Sequence, residues 1–247
     1  MLQPELTAQQ RLQNTATTLC LPLSTPQVDT LIAYLALLQR WNGTYNLTAV
    51  RDPAQMLTLH LADCLAVIGP LRRACSNGSR RLLDVGSGGG LPGVVIAALN
   101  PAIDVTCVDT VGKKAAFVRQ VAAELRLRNL HAAHARVEQL KAAPFDVVTS
   151  RAFASLADFV RLTRSHVAEN GLWMAMKGKR PAEELAALPA GVDVFHVEQL
   201  LVPGLDAERC LVWMRPQAES AALESAALES AALESAALES SAKPGSL

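Results

Sequence analysis

The 247-residue chain is half hydrophobic and carries 23 Lys+Arg against 23 Asp+Glu. Its length suits one large domain, or a domain with an appendage, and its apolar share is enough for a well-filled core. No uninterrupted apolar run reaches bilayer length and Met1-Leu2-Gln3-Pro4-Glu5 lacks the basic and apolar regions of a signal peptide, while the odd, scattered cysteines (Cys20, Cys64, Cys75, Cys107, Cys210) form no C-x-x-C pair. The expectation is a cytoplasmic protein with reduced thiols, no metal site and no membrane partner.

In chain order, the first 75 residues read as helices. Ser24-Thr25-Pro26 starts one, with Leu31, Ile32, Leu35 and Leu38 at helical spacing. Asp52-Pro53-Ala54-Gln55 starts another, combining an acidic N-cap, a proline in the first turn and a glutamine three residues on. Between them, Trp41 to Thr48 reads as a polar and aromatic loop, either a plain connector or a rim that stacks on a base or covers a ligand.

From Arg80 apolar stretches alternate with helices. Strands are expected at 81–85, 103–109, 131–135, 145–149, 172–176, 192–198 and 210–215, with helices at 93–99, 113–127, 155–168 and 181–188. Such alternation means parallel pairing by right-handed crossovers in an open, doubly wound α/β sheet. Val202-Pro203-Gly204-Leu205-Asp206 joins the last two strands as a hairpin, which puts antiparallel pairing at one edge. The segment 217–247 differs: Ser-Ala-Ala-Leu-Glu recurs four times, and a period of five turns each Leu by about 140° around a helix, so no apolar stripe forms. It reads as a low-complexity tail, disordered or a fraying helix, whose five acids and one base balance the charge: residues 1–216 hold 22 Lys+Arg against 18 Asp+Glu, a net charge of +4 that favours an anionic partner.

The first strand ends in Leu83-Asp84-Val85-Gly86-Ser87-Gly88-Gly89-Gly90-Leu91-Pro92-Gly93, a strand, a glycine turn and a helix start. Gly88-x-Gly90-x-x-Gly93 fits a dinucleotide fingerprint, and with it an NAD-dependent oxidoreductase. Asp84-x-Gly86-x-Gly88-x-Gly90 instead resembles the first motif of S-adenosylmethionine-dependent methyltransferases. Asp109, at the carboxyl end of the second strand, suits both hydroxyls of a ribose, or a helix cap. Arg136-Val137-Glu138 follows the third strand, where Glu138 could accept the exocyclic amine of adenine and Val137 offers a backbone N–H. Arg151 ends the fourth strand, where a guanidinium suits phosphate, a base edge or a carboxylate. Lys113, Lys114, Arg136, Lys177, Lys179 and Arg180 gather at the same strand ends and favour a polyanion, leaving a non-catalytic RNA-binding module as a third reading.

Trp41-Asn42-x-x-Tyr45-Asn46-Leu47-Thr48, His60-Leu61-x-Asp63, the glycine turn, Asp109-x-x-x-Lys113-Lys114, Arg136-Val137-Glu138, Ser150-Arg151-Ala152-Phe153 and Met176-Lys177-Gly178 together closely resemble the RsmG (GidB) family over about Thr30 to Arg215. The resemblance implies a bacterial methyltransferase that uses S-adenosyl-L-methionine to modify N7 of one guanosine, position 527, in 16S ribosomal RNA, as naked RNA or in the small ribosomal subunit. It implies a class I, Rossmann-like fold with a seven-stranded sheet over 76–216, preceded by an N-terminal helical segment over 1–75 that packs on it. It also implies that Asp84, Gly86, Gly88, Gly90, Leu91, Asp109, Val137, Glu138 and Arg151 bind the cofactor. Lys113, Lys114, Lys177, Lys179 and Arg180 meet RNA, and Arg151 and Arg136 position the reacting groups with no general base. A monomer is favoured. On an otherwise apolar helix face His60 reads as a hydrogen-bonded core residue rather than a catalyst, and Trp41 as core.

Overall fold

The computed structural model describes residues 6–75, 80–153 and 155–217, so that all but Gln217 of the repeat tail lies outside them. Helix α1 (Ala8–Thr18) starts at a capping box: the Thr7 hydroxyl accepts the Gln10 N–H and the Gln10 side chain accepts the Thr7 N–H. Helix α2 spans Thr25–Tyr45 and so runs through most of the loop expected at Trp41–Thr48. Tertiary contacts account for the extension. Trp41 packs 5.4 Å from the buried Phe117 ring, and the buried Asn42 uses its side chain to hold the Thr48 N–H and the Val50 carbonyl. The helix stops at Asn46 in the left-handed region, φ 49°.

Asp52 caps α3 (Pro53–Met56), accepting the Gln55 N–H at 2.8 Å. The chain then widens into a π-helical segment, Leu57–Ala62, before α4 (Asp63–Leu65) and α5 (Ile68–Ala74). Pro53–Ala74 is long and apolar enough, by length and composition, to cross a membrane, although Gln55, Thr58, His60 and Asp63 interrupt its apolar run. Yet 72% of its most apolar window is buried within the protein, where Leu57, Leu61, Leu65 and Ile68 join the core.

The remaining elements are β1 (Arg80–Val85), α6 (Gly93–Leu99), β2 (Ile103–Asp109), α7 (Gly112–Glu124), β3 (Leu130–His134), β4 (Phe145–Arg151), α8 (Leu156–Thr163), β5 (Val167–Lys177), α9 (Ala182–Ala186), β6 (Val192–Gln199) and β7 (Cys210–Pro216). They build a seven-stranded sheet in the order β3-β2-β1-β4-β5-β7-β6. Strands β1 to β5 pair in parallel, and β7 is antiparallel to both β5 and β6. Within the expected hairpin, the last strand lies inside and β6 takes the edge. Composition explains the order: Cys210 to Met214 are all buried, whereas β6 carries Asp193, His196, Glu198 and Gln199 and has no buried residue.

Alternation along the strands makes two cores. Leu82, Val105, Val147 and Met174 face α6, α7 and the N-terminal helices, while Leu83, Val108, Val148 and Trp173 face Leu156, Phe159 and Val160 of α8. Because chain order reverses between β1 and β4, their carboxyl ends flank a crevice, the usual ligand position in such sheets.

Candidate active site

The turn after β1 is shaped by two buried carboxylates and one hydroxyl. Asp84 accepts the Gly93 N–H at 2.8 Å and so fixes the start of α6. Asp109 accepts the Gly88 N–H through one oxygen and the Val111 N–H through the other, both at 2.9 Å, with Lys114 Nζ 3.9 Å away. Ser87 O accepts the N–H groups of Gly90 and Leu91. Tyr34, wholly buried in α2, donates its hydroxyl to Gly89 O at 2.7 Å. The N–H groups of Gly88, Gly90 and Gly93, the three glycines of the dinucleotide fingerprint, are thus all engaged by protein acceptors. Gly86, at φ +67°, sits where a side chain would be strained and would press on the Phe153 ring at 3.1 Å.

Two cavities open on either side of Gly86 and Ala152. The first, about 580 Å³, lies between the turn, the π-helical segment and the ends of β4 and β5; His60, Asp63, Arg151, Lys177 and Arg209 give it its polar character. The second, about 390 Å³, lies over β2 and β3 and is lined by Asp109, Lys114, Arg136, Val137, Glu138 and Phe153. Ala152 separates them in a left-handed conformation, φ 55°, that costs a non-glycine residue about 1 kcal/mol. That turn sends Arg151 to the first cavity and lays Phe153 across Gly86 in the second.

In the first cavity Asp63 is the organising group. One of its oxygens meets Arg151 Nη1 at 3.1 Å and the other Arg209 Nε at 3.0 Å. Arg151 Nη1 also donates to Leu59 O at 3.0 Å, a carbonyl of the π-helical segment. His60 Nε2 lies 2.9 Å from the Thr48 hydroxyl. Burial, reinforced by the Arg151 charge, lowers the His60 imidazole to about 4, which keeps it neutral at neutral pH. Lys177 donates to Glu184 at 2.7 Å. Arg151, Lys177 and Arg209 against Asp63 and the Glu184 paired with Lys177 leave one excess positive charge at this cavity.

Of the residues singled out from sequence, Gly86, Gly88, Leu91, Arg151 and Lys177 line the first cavity, and Asp109, Lys114, Arg136, Val137 and Glu138 the second. Asp84 and Gly90 line neither. Asp84 is 0% exposed beneath the turn, where burial raises its carboxyl to about 7 and one oxygen has no hydrogen-bond partner. Lys113 is exposed at the start of α7, and Lys179 and Arg180 are exposed beside Glu183 and Glu184 on a surface pocket that continues from Lys177. Sequence reasoning missed Arg209, Tyr34 and the role of Asp63 as a clamp. A signal for Arg209 existed: in an antiparallel hairpin the start of the last strand must return to the end of β5, and Cys210 indeed pairs with Lys177.

Comparison with known proteins matches residues 27–212 to the family model described as GidB, rRNA small subunit methyltransferase G. A protein of Leptothrix cholodnii named ribosomal RNA small subunit methyltransferase G is 65% identical over 201 residues, covering 81% of this chain and 92% of that one. One of the same name from Acidovorax sp. is 60% identical over 215 residues, covering 84% and 95%. Among solved structures, a Burkholderia thailandensis 1,6-didemethyltoxoflavin-N1-methyltransferase with bound S-adenosylhomocysteine shares the fold at a TM-score of 0.52. It is 16% identical and covers 80% of this chain and 92% of that one.

Proposed function

The chain belongs to the rRNA small subunit methyltransferase G family, and from that premise we propose that it transfers a methyl group from S-adenosylmethionine to N7 of a guanosine in 16S ribosomal RNA, the family's guanosine 527. The observation that carries this reading is the pair of cavities meeting at Gly86. The second suits a nucleoside: Asp109 has both oxygens at the strand end, and Glu138 and Val137 stand further along the same wall. A carboxylate offers about four lone-pair sites, so the two N–H bonds it already accepts leave room for ribose hydroxyls. Asp84 and Gly90 then serve the cofactor indirectly, by holding the turn in shape. The first cavity suits the methionine end and the target base, with Leu91 and Gly88 on its wall.

The bound cofactor supplies an electrophilic methyl on a sulfonium. What the protein must add is alignment and a tolerant electrostatic setting. Guanine N7 carries an in-plane lone pair and no proton, so no base is required. Consistent with that need, among the described residues no lining acid or imidazole of the first cavity is well placed to act as one. Asp63 is locked between two guanidinium groups, and His60 is a weak base at about 4. Arg151 and Arg136 hold and orient, since neither loses its proton at neutral pH. Lys113, Lys114, Lys177, Lys179 and Arg180 meet the RNA backbone, and the chain acts as a monomer in the cytoplasm.

The test is methyl transfer from labelled S-adenosylmethionine to small ribosomal subunits and to naked 16S RNA, followed by mapping of the modified base through borohydride and aniline cleavage, which reports N7-methylguanosine. Cleavage at one guanosine is expected. Label on a different base, or none on either substrate, would overturn the reading. Calorimetry of cofactor binding to Asp109→Ala, expected to be much weaker than to the unaltered chain, checks the cofactor site separately.

A further inference from the structure

The stretch of chain that supplies Leu47, Thr48 and Val50 to the wall of the first cavity begins at an aromatic group that the site described so far does not use. Tyr45 is the last residue of α2 and is 42% exposed. Its ring stands 5.1 Å from Trp41, and Trp41 stands 5.4 Å from the buried Phe117, so an aromatic file runs from the core to solvent and braces Tyr45 from within. The next residue, Asn46, turns the chain in the left-handed region and accepts Arg51 Nη2 through its side chain at 2.7 Å. Leu47, Thr48 and Val50, between these two residues, line the first cavity itself. Asn42 pins this short stretch at Thr48 and Val50. A half-exposed aromatic face and a guanidinium hydrogen-bonded to Asn46 therefore flank, along the chain, the stretch that lines an electropositive cavity.

Single-stranded RNA presents just the two chemistries that such a pair would hold, a flat unpaired base and a phosphate. We propose that Tyr45 and Arg51 form a subsite for a nucleotide next to the target guanosine, its base stacked on Tyr45 and its phosphate held by Arg51. This rests on the reading that the substrate is RNA, and it assigns to the first helical segment a part in choosing that RNA. The partner is an unpaired nucleotide rather than a duplex, because paired bases present no free face for the ring. The guanidinium, tethered at Asn46, loses little freedom when it takes a phosphate.

The experiment compares the full chain with Tyr45→Trp, Tyr45→Leu and Arg51→Gln in methyl transfer to the same RNA, with calorimetric cofactor binding measured for each. Tyr45→Leu keeps an apolar side chain against Trp41 but offers no ring. It should raise KM for RNA roughly 5- to 150-fold, the range covered by loss of one base stack. Its kcat should stay within about twofold, because the reacting groups are untouched. Tyr45→Trp should keep KM close to that of the unaltered chain. Arg51→Gln should flatten the slope of log affinity against log salt by about 0.7, the value of one phosphate contact to a single strand. The proposal is overturned if Tyr45→Leu leaves KM unchanged, if Tyr45→Trp fails as badly as Tyr45→Leu, or if cofactor affinity falls in step with RNA affinity. An active unaltered chain matched by Tyr45→Leu sinks the subsite alone, whereas an unaltered chain inactive on every RNA sinks the RNA reading with it.

Discussion

Asp63 and Arg151, 88 residues apart, meet at 3.1 Å, and the second oxygen of the same buried carboxylate accepts Arg209 Nε at 3.0 Å. Asp63 is 4% exposed, against 22% and 26% for the two arginines, so one carboxylate holds two partly buried charges in place.

Removing it should therefore cost more than a surface pair would. Asp63→Ala leaves both guanidinium groups facing each other without a counter-charge. A loss of about 3 kcal/mol in unfolding free energy is expected, the low end for a broken buried pair because both arginines keep some solvent. Urea unfolding measures it, and a loss under about 0.5 kcal/mol would place the clamp with ordinary surface pairs.

The pH dependence of stability should be nearly flat in the unaltered protein and sloped in two variants. His60 is lowered to about 4 from 6.5, chiefly by burial. The unfolded chain thus binds more protons between those values, and this stabilising contribution is present above 6.5 and lost as pH falls toward 4. Asp84 is raised to about 7 from 3.8, again chiefly by burial, so its contribution has the opposite sign: present below 3.8 and lost as pH rises toward 7. The two oppose each other across roughly the same window. His60→Asn should make stability fall as pH rises from 4 to 7, and Asp84→Asn should make it fall as pH drops from 6.5 to 4. Denaturant titrations at several pH values test this, and parallel profiles for all three proteins would refute it.

Tyr34→Phe removes one oxygen and leaves the Gly89 carbonyl without its buried donor. An unsatisfied buried acceptor costs about 1–3 kcal/mol. Because that carbonyl belongs to the turn lining the first cavity, cofactor affinity should fall as well. Calorimetry and thermal unfolding should move together; unchanged cofactor binding would show that the turn keeps its shape without Tyr34.

Two glycines of the same turn should fail in different ways. A Cβ on Gly93 would lie 2.5 Å from Cys107 Sγ and 2.8 Å from an Asp84 oxygen, so Gly93→Ala should destabilise by about 1–3 kcal/mol through overpacking. A Cβ on Gly86 would meet only the Phe153 ring, at 3.1 Å, but at φ +67° and between the two cavities. Gly86→Ala should lose cofactor affinity out of proportion to its stability. Equal ratios of the two losses in both variants would contradict this division of labour.

Much of the fold was legible in the residues because its signals are local. Apolar runs ended by Asp84, Asp109 and Arg151 marked strands β1, β2 and β4 to within two residues, and the left-handed glycines marked the turn between β1 and α6. The helix through Trp41 to Tyr45 was not legible. Its Asn, Gly and Thr residues favour a loop by themselves, and only packing on Phe117 and the hydrogen bonds of Asn42 keep them helical.

The sequence by itself determined the element order, the glycine turn and the line of acids and bases at the strand ends, since periods of 2 and 3.6 residues are written between near neighbours. The tertiary structure alone decided that Asp63 clamps Arg151 and Arg209 across 88 and 146 residues, that Tyr34 anchors Gly89 across 55, and that Asp84 lies sealed below the turn instead of on a cavity wall. Those relations depend on the order of strands in the sheet and on where the N-terminal helices land, which no local pattern encodes.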